Sequence, residues 1–294
     1  MCNKNFNIKN ELNKVIENDE LFLCYQPLIN AKTNRMEGME ALVRWRHPQK
    51  GIISPMDFIP IAEETKHIIA IGEWVLRKAC VQMRKWLDLG YKKYGISVNI
   101  SAIQLRQTDF SEVVTSILNE AGLHPEYLIL EITETVCMES SNMVTRNLMR
   151  LKQKGVKISI DDFGTGYNTL NYLQTIEISH LKIDKTFVNN YESNVNQAII
   201  EMIIGLGHRI NAKIIAEGVE TKEQYDYLKK MECDTIQGYF FSEPLLAEEM
   251  MEFLKKDEKV IEKGIEKGME KRSEKGMEKD NKVIRYPSRL MVLQ

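Results

Sequence analysis

Short stretches in which apolar and polar residues alternate recur along the chain, near residues 21–25, 39–45, 95–101, 127–133, 156–162, 180–184, 213–217 and 235–241. Each reads as a β-strand, because side chains on a strand point alternately to its two faces. Between most of these stretches the apolar spacing changes to three and four, the period of a helix. Ile71, Val75, Ala79, Met83 and Trp86 form one such stripe. Ser54-Pro55-Met56-Asp57 places a cap residue, a proline at the first helical position and an acid in the first turn, which predicts a helix start. Gly122 and Gly155 stand where two further helical patterns, through Val114, Ile117, Leu118 and Ala121 and over 141–154, must stop. Alternating strands and helices predict a parallel sheet with crossover helices.

The strands also distinguish an open sheet from a closed one. In Ile96-Ser97-Val98-Asn99-Ile100-Ser101 the apolar residues take one face and the polar residues the other, and Val156-Lys157-Ile158-Ser159-Ile160-Asp161 repeats the pattern. A central strand covered by helices on both faces would be apolar on both. A polar face instead points into a lumen, which favours a (β/α) barrel with its site at the C-terminal ends of the strands.

At 294 residues the chain suits one barrel plus a short extension. The reading divides it into a lead-in over 1–20, a barrel over 21–256 and a Glu/Lys-rich low-complexity tail over 257–294. The tail repeats every four residues and, if helical, aligns Ile261, Ile265, Met269 and Met277. It reads as a solvated extension, with a helix that orders on an unknown protein partner as the alternative. The net charge of -2 gives no global field for long nucleic acid. No run approaches about 20 consecutive apolar residues, so no membrane insertion is expected. Cys2, Cys24, Cys80, Cys137 and Cys233 are odd in number with no C-x-x-C spacing. They predict free thiols and a cytoplasmic location.

The polar residues fall in a telling place. Glu40 lies in the second predicted strand, Asn99, Glu131 and Asp161-Asp162 near the ends of the third, fourth and fifth, Lys182 in the sixth, Glu217 at the end of the seventh and Gln237 in the eighth. On a barrel all of them face one mouth. A single acid at a strand end is ordinarily a helix cap or a surface group; the coincidence over at least six strands is what carries weight. Two like charges about 4 Å apart repel by about 4 kcal/mol at an effective dielectric near 20, so the cluster must take up protons or cations. The donors are hard oxygens without His or Cys, which suits Mg²⁺ or Mn²⁺ over zinc. Two such ions are the usual apparatus for phosphoester hydrolysis. Lys182 suits a role beside the attacking water, with a structural pairing to Asp184 as the alternative. Arg44, four residues on from Glu40, suits a bidentate grip on phosphate. Asp162-Phe163-Gly164 imitates a kinase tripeptide, but no kinase catalytic-loop motif accompanies it.

Together the motifs resemble a known family. Tyr25-Gln26-Pro27, Glu40-Ala41-Leu42-Val43-Arg44-Trp45, Asn99-Ile100-Ser101, Glu131-Ile132-Thr133-Glu134, Asp161-Asp162-Phe163-Gly164-Thr165-Gly166-Tyr167, Lys182-Ile183-Asp184, Ala216-Glu217-Gly218-Val219-Glu220-Thr221 and Gln237-Gly238-Tyr239 follow the order found in EAL domains of cyclic-di-GMP phosphodiesterases. The resemblance implies a modified TIM-type (β/α)8 barrel whose first strand runs antiparallel, and cleavage of cyclic-di-GMP to linear pGpG. It implies Glu40, Asn99, Glu131, Asp161, Asp162 and Glu217 as ligands of two divalent cations; Ca²⁺, larger and looser in its coordination, is expected to misplace the water and inhibit. Lys182, with Glu40, Asp161 and Asp162, is then catalytic. Arg44, Gln26 and Gln237 are then substrate-side positions, Glu220 a support, and Glu134 the anchor of the loop around 163–169. Asn168-Thr169 departs from the Ser-Ser usual in that loop, and a homodimer remains open. The competing expectation is a module that senses cyclic-di-GMP, or binds protein, without cleaving.

Overall fold

In a computed structural model, the structure describes residues 8–138, 142–165 and 176–259. The repeat expected to form a tail therefore lies outside the described residues from 260 onward, as does the 166–169 part of the loop.

Nine strands form one sheet: β1 (Leu21–Asn30), β2 (Met36–His47), β3 (Gly51–Ile53), β4 (Gly95–Asn99), β5 (Leu128–Thr133), β6 (Lys157–Phe163), β7 (His180–Ile183), β8 (Lys213–Ala216) and β9 (Thr235–Ile236). Their order is β1-β9-β8-β7-β6-β5-β4-β2-β3, and an additional β1–β2 pairing closes eight of them into a barrel. β1 is antiparallel to both neighbours, β2 and β9, while β2 and β4 to β9 pair in parallel. The TIM-type barrel with an inverted first strand is thus present. The β2–β3 hairpin, Trp45 opposite Ile53, was not foreseen from the sequence pattern.

Helices wrap the barrel: α1 (Pro55–Glu64), α2 (Ile68–Asp88), α3 (Ala102–Leu105), α4 (Phe110–Ala121), α5 (Glu134–Met138), α6 (Asn142–Gln153), α7 (Lys185–Asn189), α8 (Asn194–Arg209) and α9 (Lys222–Lys230). Ser54 caps α1, its hydroxyl accepting from the Met56 N–H at 3.3 Å. Gly122 ends α4 in the left-handed conformation, φ 62°, which glycine adopts without steric cost. The stripe Ile71, Val75, Ala79, Met83 and Trp86 is buried on α2.

The alternation seen in the strands separates two environments. Ile96, Val98, Leu128, Leu130, Ile158, Ile160 and Leu181 face outward under the helices and are fully buried. Ser97, Glu131, Ser159 and Lys182 are buried polar residues that occupy the lumen, so the interior is divided between an apolar shell and a polar axis.

The last strand is shorter than the 235–241 stretch predicted. The Gln237 N–H still donates to the Ala216 carbonyl at 2.9 Å, but at Gly238 the chain turns across residue 219. A Cβ on Gly238 would stand 2.0 Å from the Val219 carbonyl oxygen, so only glycine permits this approach. Residues 247–259 form a closing helix. Its Asp257 is buried, accepting from the Tyr94 hydroxyl at 3.1 Å and the Met36 N–H at 3.3 Å. The start placed at 257 for the tail thus falls within a packed helix. At the other end Ile8, Leu12 and Val15 pack into the core, so part of the lead-in is bound to the barrel.

Candidate active site

The barrel register explains how residues far apart in sequence converge. Asn99 pairs with Glu131, Glu40 with Gln26 on one side and Ser97 on the other, and Thr133 with Asp161. Each sits at or near the C-terminal end of a parallel strand or on the facing part of β1.

At the centre lies Lys182, with no exposure to solvent. Its ammonium is 2.5 Å from Glu217 Oε1, 2.6 Å from Glu131 Oε2, 3.3 Å from Asp161 Oδ1 and 3.4 Å from Glu40 Oε2. Asp184, the structural partner also considered for Lys182, instead caps α7, accepting from the Thr186 N–H at 2.9 Å. Glu40 is held from both sides: Asn99 Nδ2 donates to one oxygen and Gln237 Nε2 to the other, each at 2.6 Å. Gln237 Nε2 also donates to Gln26 Oε1 at 3.1 Å, and Gln26 Nε2 donates to the Ser242 carbonyl at 3.2 Å. Gln26 thus acts through this amide chain to fix Glu40.

Adjacent residues on a regular strand point to opposite faces, so Asp161 and Asp162 need a local distortion to meet. β6 supplies one. Ile160 pairs with Leu181 and Phe163 with Ile183, so three steps on β6 pass two on β7. That extra residue is a β-bulge, and Asp162 takes the left-handed conformation at φ 55°, uncommon for a residue with a side chain. Oxygens of Asp161, Asp162 and Glu217 consequently lie within 4.8 Å of one another.

The electrostatics follow from burial around a single cation. Burial pushes Glu40 upward, but the Lys182 charge and the hydrogen bonds from Gln237 and Asn99 prevail and hold it below the usual carboxylate range. For Glu131 burial wins, aided by Glu40 and Asp161 against Lys182, and its pKa rises to about 8. Asp162 rises to about 6 through burial, the Asp161 charge and a hydrogen bond with Asp184. Burial drives Glu217 well up and, with four carboxylates around it, Lys182 is also raised despite its own burial. One ammonium is too little charge for this many carboxylates, and protons make up the deficit where no further cation does.

A cavity of about 550 Å³ opens over the carboxylates. Arg44 lines it, donating meanwhile to the Val43 carbonyl at 2.9 Å. Part of its wall is apolar: Met56, Ile59 and Pro60 of α1, with Met56 83% exposed. Ile59, Pro60 and Glu63 belong to Phe58-Ile59-Pro60 and Ala62-Glu63-Glu64, two further stretches that match the family motifs, but neither they nor Met56 were given a site role from the sequence. Glu134 is buried on α5, and its Oε2 accepts from the Gly164 N–H at 2.8 Å. That bond ties the start of the loop after β6 to the end of β5. Glu220 stands apart; it is exposed, and its N–H donates to the Gln224 side chain that caps α9.

The family model described as the EAL domain matches residues 9–244. The chain belongs to the EAL domain family. A Pseudomonas aeruginosa protein described as the bifunctional diguanylate cyclase/cyclic di-GMP phosphodiesterase MucR is 43% identical over 242 residues, 82% of this chain and 35% of that protein. The oxygen sensor protein DosP of Escherichia coli is 40% identical over 240 residues, 81% of this chain and 30% of its own length. This EAL chain thus spans about a third of the curated relatives it matches. Among solved structures, the MucR phosphodiesterase in complex with c-di-GMP superposes with a TM-score of 0.81 at 43% identity, covering 83% of this chain and 99% of that one. Among the described residues no helix is long and apolar enough to cross a membrane.

Proposed function

We propose that this EAL domain hydrolyses cyclic-di-GMP to linear pGpG. The observation that carries the reading is the mouth itself: six oxygen-donor residues and one buried lysine brought together from six strands. Relatives titled cyclic di-GMP phosphodiesterases, and a neighbour of the same fold holding c-di-GMP, supply the substrate class.

The residues fit a pair of divalent cations. Asp161, Asp162 and Glu217 cluster within 4.8 Å. Glu131 Oε1 is buried without a hydrogen-bond partner, a costly state for a carboxylate oxygen that ligation would relieve. Asn99 gives its N–H to Glu40, so its amide oxygen is what it offers an ion. Glu40, Asn99, Glu131, Asp161, Asp162 and Glu217 would hold the ions, and hard oxygen donors favour Mg²⁺ or Mn²⁺. When bound, such ions lower the pKa of coordinated water and offset the charge that builds on phosphorus.

The chain's own groups do the rest. Lys182, fixed among four carboxylates, orients water toward phosphorus and donates to the oxygens that become more negative. Gln237 and Gln26 keep Glu40 from rotating. Arg44, at the cavity wall, grips the phosphate, and the apolar face of α1 accepts a guanine base. Attack forms one P–O bond, the bond to the ribose 3′ oxygen breaks, and that oxygen takes a proton. The product keeps its phosphate on the 5′ side.

Purified protein with Mg²⁺ or Mn²⁺ is expected to convert cyclic-di-GMP to pGpG, seen by chromatography of the nucleotides. Tight binding without product under both metals would instead establish a sensor. Cys24, Cys80 and Cys233 are buried free thiols.

A further inference from the structure

The N-terminal end of the barrel, opposite the carboxylate mouth, holds a second cavity of about 530 Å³. Nothing in the proposed hydrolysis uses it. Its rim carries Lys92, Lys93, Lys157 and Lys213, and its floor is His180 with Leu28, Ile129 and Ile215 from the lumen.

Three acids also reach the rim, but each already has a cation beside it or is engaged. Glu37 is 3.3 Å from Lys213 and accepts from Asn30 and Thr235. Glu177 is 3.3 Å from Lys152, and Glu126 is 3.2 Å from His124. Lys93 lies 3.7 Å from Glu258. Lys92 and Lys157 have no ion pair among the described residues, which leaves two unpaired ammonium groups at the rim.

Beneath them are orphaned polar atoms. Ser159 is fully buried and its hydroxyl has no hydrogen-bond partner in the protein; the same holds for Nδ1 of His180. The two are cross-strand neighbours, and they belong to one register row that runs Asn99, Glu131, Ser159, His180, Lys213 from the carboxylate mouth down to the rim. Buried polar groups are nearly always paired, so an orphaned imidazole nitrogen lining the cavity, with a second orphan on the neighbouring strand, marks a place where something else supplies the partner. Burial and the nearby lysines push His180 down to about 4, so at neutral pH the imidazole is uncharged and offers one donor and one acceptor.

We propose that this end of the barrel is a second ligand site, distinct from the carboxylate mouth, for a small phosphate monoester with an apolar body. The two free lysines match the double negative charge of such a phosphate, each acting as a point-charge donor. The apolar side chains of the floor cover the organic part, and the cavity is of the size that small-molecule sites have, about 300–1,000 Å³. His180 meets the ligand directly. The site does not depend on whether the mouth hydrolyses cyclic-di-GMP.

Phenyl phosphate is a suitable probe, titrated into the full chain with Mg²⁺ present while the ring resonances of ¹⁵N-histidine-labelled protein are followed. The His180 signal is assigned by its loss in His180→Gln. The expected result is a saturable shift at His180, with at least tenfold more ligand required in the double variant Lys92→Glu/Lys157→Glu and no change in Arg44→Ala. Lys92 and Lys157 are exposed, so the double variant should keep its unfolding midpoint, which is checked in parallel. The absence of a saturable shift, a response equal in wild type and the lysine variant, or one abolished by Arg44→Ala would each overturn the proposal. The last of these would mean that His180 merely senses events at the mouth through β7.

Discussion

Replacing Lys182 by methionine tests the electrostatic account of the barrel axis most directly. The new side chain is unbranched, one heavy atom shorter and of similar volume, so the change is chiefly one of charge. Wild-type Lys182 is unexposed and stands within 3.4 Å of four carboxylates. Removing one partner of a buried ion pair ordinarily costs about 3–5 kcal/mol, because the remaining charge is left uncompensated. Four carboxylates share the loss here, but they can also escape it by taking up protons. The cost should therefore depend on pH. Glu131 and Asp162 have folded-state pKa values raised to about 8 and about 6, and Glu217 is raised as well. A raised acid binds more protons folded than unfolded, so metal-free stability falls as pH climbs from the unfolded carboxylate value, about 4.3, toward 8. Without Lys182 those acids rise further, and the fall becomes steeper. Urea unfolding in EDTA, followed by the fluorescence of Trp45, Trp74 and Trp86, should show Lys182→Met less stable by about 3–5 kcal/mol at pH 8. At pH 5.5 the difference should be clearly smaller. A loss at pH 8 within about 1 kcal/mol of zero, against the usual cost of a broken buried pair, would refute the reasoning. So would a loss that does not change between the two pH values.

Four further outcomes follow. Glu134→Ala removes the acceptor of the Gly164 N–H and is expected to cut phosphodiester turnover at least tenfold while the barrel stays folded, measured by steady-state kinetics beside circular dichroism; full activity would detach that bond from function. Gly238→Ala drives a methyl into the Val219 backbone and should destabilise by about 3 kcal/mol, the upper range for overpacking. Gly205→Ala, with nothing within 4 Å of the added carbon on an exposed face of α8, should stabilise by about 1 kcal/mol through helix propensity; calorimetric midpoints moving in opposite directions check the pair. Ca²⁺, larger and looser in coordination than Mg²⁺, should inhibit hydrolysis when added against Mg²⁺, and equal rates in the two ions would count against the tight oxygen cluster.

The site was legible as a set of residues long before it was legible as an arrangement. The alternation in 95–101 and 156–161 sorts side chains between two environments whatever the strands pair with, since the period of two is a local property of extended backbone. Glu40, Asn99, Glu131, Asp161, Lys182 and Glu217 all fall on the polar phase of that pattern or at its end. The capped start of α1 and the glycine stop of α4 were equally local, and both stand where the pattern put them. The sequence also carried the family motifs in order, which implied the inverted first strand that no periodicity could reveal.

Other features required neighbours. Asp161 and Asp162 reach the same mouth only because β7 is one residue short opposite β6, and pairing register is a property of two strands at once. Lys182 could not be separated from a partner of Asp184 until the barrel closed and brought four acids from distant strands within reach. The truncation of the last strand at Gly238 depends on residue 219 crossing it. The lysine-rimmed cavity, with His180 on its floor beside Ser159 of the neighbouring strand, arises from a register row spanning five strands. Local sequence determines which face a side chain takes. Which charges share that face is decided by closure of the sheet, because the energies that move their protons depend on distances of a few ångströms between segments far apart along the chain.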